Sequence, residues 1–220
     1  MPSAMDMNEP VETPEFILEA FADPTSVRDV VRGILHTIFF LRFFPSVLPQ
    51  TRDVVGLELA YVPEAEIETL IDQRVGALVR QLDAERNQPA HLVTGPGSAN
   101  SGSGRGQVTV QFFEKPRRRK AWYLMRGEDE VCWESWTVKV TVAEPRTESE
   151  RAKVRKAMET TLRSTIMKAI KYANEHKNHI PPITTTESNP FPYQININHQ
   201  NNNIAAKEPA GGWAQRMGIY

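Results

Sequence analysis

Five histidines, His36, His91, His176, His179 and His199, and one cysteine, Cys132, are the side chains here best suited to acid–base, metal or nucleophilic chemistry. No two of the histidines show the His-Glu-x-x-His spacing that sets a pair of imidazoles on one helix face around zinc, and no Gly-x-Ser-x-Gly elbow is present. His36 falls in the middle of a helical pattern beside its apolar stripe, which favours a structural imidazole with its hydrogen bonds met over a general base. His176 and His179 flank Lys177 at a helix end, where positive charge matches the dipole or the helix frays. Cys132 alternates with Trp133 in a strand-like run, so a small buried thiol is expected. The Gly/Ser-rich run 94–106, TGPGSANSGSGRG, could pass for a phosphate cradle, but it lacks the Gly-Lys-Ser/Thr ending and leads into a strand instead of a helix. No catalytic, cofactor-binding or metal-binding residue is assigned, and the expectation is a protein that is not an enzyme.

A different chemistry sits in residues 116–130. Arg117, Arg118, Arg119 and Lys120 crowd one side of Trp122, Tyr123, Leu124 and Met125, and Glu128, Asp129 and Glu130 crowd the other. Cations beside stacking aromatics can hold single-stranded nucleic acid. The acidic run that follows, the formal net charge of -1 and the isoelectric point near 6.5 weigh against that use. An aromatic cluster between charge runs fits a protein contact, or a Trp122 folded back to cap a sheet edge.

The elements that must position these residues follow from hydrophobic period. Residues 15–21 read as a strand, and Asp23-Pro24 as a helix start capped by Asp23. Val27, Val30, Val31, Ile34, Leu35 and Ile38 then form one helical stripe. At about 100° per residue, Phe40 and Phe43 point away from that stripe, so this helix end needs cover on a second side, from its own chain or from a partner. Residues 53–62 read as one strand, with Gly56 at a bulge or close approach. Pro63 opens a second helix that stops before Pro89. Residues 107–115 and 131–142 read as antiparallel neighbours joined by the charged loop, with Trp136, Val138, Val140 and Val142 facing the core and Trp133 on the other face. Thr147 and Glu150 form a capping box for a third helix reaching about His176, with Lys168, Lys171 and Lys177 near its end matching the dipole. Residues 192–198, PYQININ, close the series as a short strand. The order β-α-β-α-β-β-α-β predicts an α+β fold, three helices on a mixed, mainly antiparallel sheet. Composition, 40% hydrophobic and 24% charged over 220 residues, suits one sizeable core. No apolar run is long enough for a transmembrane segment. Residues 1–14 and 199–220 are expected as disordered tails and 94–106 as a flexible insertion.

Taken in order, ILHT (34–37), LELAYV (57–62), QFFEK (111–115), WESWTVKVTV (133–142) and TESERAKVRK (147–156) make the chain similar to the autophagy-related protein 101 family over residues 15–198. That family comprises HORMA-domain subunits of the autophagy-initiation kinase complex. The resemblance implies an open-form HORMA domain with no catalytic activity and no cofactor. It implies pairing with the HORMA domain of autophagy-related protein 13, which it stabilises, and help in assembling the initiating Ser/Thr kinase complex. The implied location is cytoplasmic, with recruitment to the phagophore assembly site. The family's exposed tryptophan finger, which recruits downstream autophagy factors, falls on Trp122, Tyr123 and Leu124. Animal members have Pro at the position of Tyr123 and Phe at that of Leu124, so only the tryptophan carries over unchanged. The family's heterodimer turns the end of the first helix toward its partner, here Phe40, Leu41 and Phe43. The alternatives are a nucleic-acid-binding module using residues 117–123 and a HORMA adaptor of the checkpoint or meiotic kind.

Overall fold

A computed structural model describes residues 13–44, 48, 50–86, 103–114, 130–183 and 190–198. Its sheet has the order β1 (Glu15–Ala22), β5 (Val131–Ala143), β4 (Ser103–Glu114), β6 (Tyr193–Asn198). β1 runs parallel to β5, and the other two pairings are antiparallel. Side chains alternate along each strand. Phe16, Leu18, Ala20 and Ala22 of β1, Val108, Val110 and Phe112 of β4, and Trp136, Val138, Val140 and Val142 of β5 are buried together. Against them pack α1 (Val27–Arg42), α2 (Ala65–Arg86) and α3 (Glu148–Glu175). The fold is α+β, three helices on a mixed sheet. The outward face is polar: Thr109 and Thr137 hydroxyls meet at 3.3 Å, and Asn196 donates to Gln111 at 3.1 Å. α3 lies along β1, where the Thr165 hydroxyl donates to the Glu19 carbonyl at 2.5 Å and occupies one acceptor of the edge strand.

Local chemistry explains the helix starts. The capping box of α3 is complete: Glu150 N–H donates to the Thr147 hydroxyl at 3.2 Å while the Glu150 carboxylate accepts from Thr147 N–H at 3.3 Å. Asp23 acts one turn earlier than expected for α1. Its carboxylate accepts from Thr25 N–H at 2.9 Å and Ser26 N–H at 2.8 Å, building a leading turn, and Ser26 is the N-cap. Burial pushes the Asp23 carboxyl up, but these hydrogen bonds together outweigh it and leave its pKa lowered. Pro63 precedes α2 instead of opening it; the Glu64 carbonyl accepts from Glu68 N–H at 2.9 Å. The last turn of α3 has no basic residue. Lys168 sits 5.5 Å from the Tyr172 ring and Lys171 lies 3.9 Å from Glu175, so both serve side-chain partners instead of the dipole.

Three expectations are corrected. Residues 53–62 are two strands and not one: β2 (Gln50–Val54) and β3 (Leu57–Tyr61) form a separate hairpin packed on α1. Its two-residue turn has φ of 54° at Val55 and 81° at Gly56, the left-handed pair of a type I′ turn. A valine there hides the turn signal. Second, residues 103–106 belong to β4 and not to the insertion. A Cβ on Gly106 would stand 2.8 Å from Leu78 Cδ1, so the glycine is needed for α2 to approach the sheet. Third, Trp133 is buried like Trp136. The register shifts between Phe112, opposite Glu134, and Phe113, opposite Cys132, which leaves Trp133 as the extra residue of a bulge.

The left-handed conformation of a β-branched residue costs on the order of 1–3 kcal/mol. Val55→Asn, which suits a type I′ turn before glycine, is therefore expected to raise the melting temperature by a few degrees. A melting temperature that stays put or falls in a calorimetric scan would show that Val55 is not strained.

Candidate protein–protein interface

α1 ends in Phe39-Phe40-Leu41-Arg42, and Arg42 organises what lies beneath. Its guanidinium is 4% exposed and Glu134, on the core face of β5, is fully buried. Arg42 Nε donates to Glu134 Oε1 at 2.7 Å and Oε2 at 2.9 Å. Arg42 Nη1 also reaches the Ala173 carbonyl at 3.5 Å, and Nη2 the His176 carbonyl at 3.3 Å. The remaining capacity of Glu134 is filled by the Trp136 indole N–H and by His179 Nε2 at 2.7 Å. One ion pair thus joins the C-termini of α1 and α3 to the start of β5. Charges buried this deeply persist only when paired and hydrogen-bonded. His179 is a member of this cluster and not a helix-end cation. Glu134 shares its face with Trp136 and the valines, so an acid on an apolar strand face was the available sign that a cation must meet it.

Aromatic rings pack around the pair. Phe16 lies 4.6 Å from Trp136 and 5.2 Å from Tyr172, and Trp133 lies 5.0 Å from Phe191 and 5.7 Å from His179. Phe39 meets Phe112 edge-on at 5.7 Å and Tyr193 at 4.9 Å. Past this layer the surface turns apolar. Phe40 is 36% exposed, Phe44 38% and Leu48 82%, with Ile183 also exposed nearby in sequence to the α3 exit. Leu41 and Phe43 are half-buried against the core, so of the three residues singled out at this helix end Phe40 is the open one. Phe44 packs edge-on to Phe191 at 5.5 Å.

The charged loop springs from the same end of the sheet. Its strands close at Glu114 opposite Val131, and Val131 is 63% exposed. Trp122, Tyr123 and Leu124, and the basic run before them, lie outside the described residues. Cys132 at the loop's root is a half-buried free thiol; burial raises its pKa, so little thiolate forms at neutral pH. Among the described residues no group of three His, Cys, Asp or Glu side chains could hold a metal ion, and no helix is long and apolar enough to cross a membrane.

His36 departs from expectation. It is 2% exposed, yet neither ring nitrogen has a hydrogen-bond partner. Its ring lies 4.4 Å from Tyr61 of β3. Burial first, then the charges of Arg32 and Arg52, lower its pKa from 6.5 to about 4, so the imidazole is neutral at pH 7.

Residues 19–187 match the family model described as Autophagy-related protein 101. Relatives of that name include an Arabidopsis thaliana protein, 25% identical across 78% of this chain and 80% of its own length. A Xenopus tropicalis relative is 27% identical and a Homo sapiens relative 25% identical, each across 77% of this chain and 75% of its own length.

The buried cluster is testable apart from any partner. Arg42→Met leaves Glu134 without its cation and is expected to cost roughly 3–5 kcal/mol in urea unfolding. Adding Glu134→Leu should recover a large part of that loss, because the unpaired charge is gone. Additive losses in the double variant would show that the two residues do not act as a unit.

Proposed function

This chain belongs to the autophagy-related protein 101 family, and from that membership together with the exposed end of α1 we propose that it is a non-catalytic scaffold of the autophagy-initiation machinery. An autophagy-related role follows from the family itself. The finer reading is an open-form HORMA domain that pairs with the HORMA domain of autophagy-related protein 13, stabilises it, and helps assemble the initiating Ser/Thr kinase complex from the cytoplasm at the phagophore assembly site.

The observation that carries this reading is the apolar surface around Phe40. A helix end normally turns polar where it meets water. Here Phe40, Phe44 and Leu48 stay exposed around the helix end whose Arg42 is held in a buried ion pair. Aromatic anchors on a stiff base suit a binding surface, since little side-chain order is lost on docking. Leu41 and Phe43 pack partly buried against the core beside it in sequence. The strand ends that flank residues 115–130, Glu114 and Val131, close opposite one another. A scaffold of this kind could hold its partner with α1 and present the finger as well.

Phe40→Asp is expected to abolish co-purification with the autophagy-related protein 13 HORMA domain, a loss of at least tenfold in affinity, with helix content unchanged. Undiminished binding in size-exclusion chromatography would remove α1 from the interface. Trp122→Ala is expected to leave the melting temperature and the heterodimer intact while blocking autophagosome formation in cells. A drop of many degrees in melting temperature would instead make Trp122 a core residue and end the finger reading.

A further inference from the structure

Between α1 and the β2–β3 hairpin lies a small cavity of about 40 Å³ that the scaffold reading does not use. Its walls include Gly33, Val54, Leu59 and Ala60, and His36 and Tyr61 also line it. The imidazole is 98% removed from solvent by the 2% exposure above, and both its nitrogens lack partners. Leaving a buried polar atom unmatched costs about 1–3 kcal/mol. Other polar groups at this site are engaged: the Tyr61 hydroxyl bonds Glu68, Arg32 pairs with Glu68 at 2.7 Å, and the Arg52 guanidinium lies 4.4 Å from the Tyr61 ring centroid. His36 presents both ring nitrogens, one donor and one acceptor, without a partner.

We propose that this cavity is a recognition site for one neutral hydroxyl, the side chain of a serine or threonine on the protein that docks along α1. Three observations select that chemistry. A neutral imidazole offers one N–H and one lone pair, and a hydroxyl is the small group that answers with both. The charged residues lining the cavity, Asp29 and Asp53 against Arg32 and Arg52, are balanced two to two, which favours neither an anion nor a cation. The aliphatic walls and the volume fit a hydroxymethyl or hydroxyethyl group and little more. The source follows from position, and this part rests on the proposed interface: His36 and Phe40 are one turn apart on the same face of α1, about 6 Å along its axis. A partner seated on Phe40 would therefore lie within one helical turn of His36.

The test uses the full chain labelled with ¹⁵N-histidine, and ethanol, the side-chain analogue of threonine, as the probe. Saturable shifts of the His36 ring nitrogens are expected. They should be lost in Gly33→Ala, whose added Cβ would stand 3.0 Å from Leu59 Cδ1 and 3.1 Å from Val54 Cγ2 and so press on two wall residues of the cavity. His36→Phe, followed through the Tyr61 ring protons, should lose them as well, at least tenfold in apparent affinity. Forming the complex with the partner HORMA domain should displace the alcohol. Shifts that rise linearly with alcohol, as for an adventitious additive only, or that persist in Gly33→Ala, overturn the site, as does a trapped water that the alcohol never displaces. An alcohol that still binds within the complex overturns the partner as its source. If no complex forms, the interface reading and the partner source fall together, while the alcohol titration of the free chain still decides whether the cavity takes a hydroxyl.

Discussion

The Arg42–Glu134 pair is the constraint on which the meeting of α1, α3 and β5 depends. Two charges removed from water are costly, and only dense pairing offsets the cost. Here Arg42 meets both carboxylate oxygens and caps carbonyls at the end of α3, while Glu134 also takes the Trp136 indole and His179. Every bond in the set has one acceptable geometry. α1, α3 and β5 therefore meet in one register, where apolar contacts alone would allow sliding. Apolar packing supplies most of the stabilisation of such a core, but it is non-directional. The ion pair supplies direction at the one place where three elements end together.

That fixed junction explains why exposed aromatics can sit above it without collapsing. Phe40 lies on a helix end that cannot rotate to bury it, because Arg42 is tied down two residues on, and Phe44 beyond the helix leans on Phe191. The bulge at Trp133 works in the same direction. It places Trp133, Glu134, Ser135 and Trp136 in successive buried positions, so β5 is anchored on both faces just where the charged loop joins it.

Much of the frame was legible in the sequence because it rests on period and on caps. The stripes of the three helices, the alternation in β1, β4 and β5, the capping box at Thr147 and the terminal strand at 193–198 all follow local rules that tertiary structure left intact. What escaped was set by contacts distant in sequence. The β2–β3 turn was unreadable because Val55 occupies a conformation its side chain disfavours, so no Asn-Gly or Asp-Gly signal marks it. Gly106 read as a linker glycine, when its role is to admit Leu78 and Leu82 of α2. His179 read as matching the helix dipole or as part of a frayed end because its partner, Glu134, lies 45 residues away. At the site itself, the apolar surplus of Phe40 was visible from the helical wheel, but Leu41 and Phe43 could not be sorted from it without knowing which side the sheet covers.

Glu134 and His36 make an instructive contrast. Both are buried polar groups on elements otherwise devoted to the core, and both follow from the same fold. Glu134 has every lone pair answered from within the chain, as a group whose task is architectural should. His36 has none, though Tyr61 is close enough to stack and two arginines stand nearby. Packing alone does not account for a histidine there, since an aromatic hydrocarbon would fill the same space beside Tyr61 without unmatched nitrogens. A polar group retained against its own desolvation penalty, beside an empty volume of matching size, is better explained by something that enters from outside than by the demands of the fold. The difference between the two residues separates what the chain needs to hold its shape from what it keeps open for another molecule.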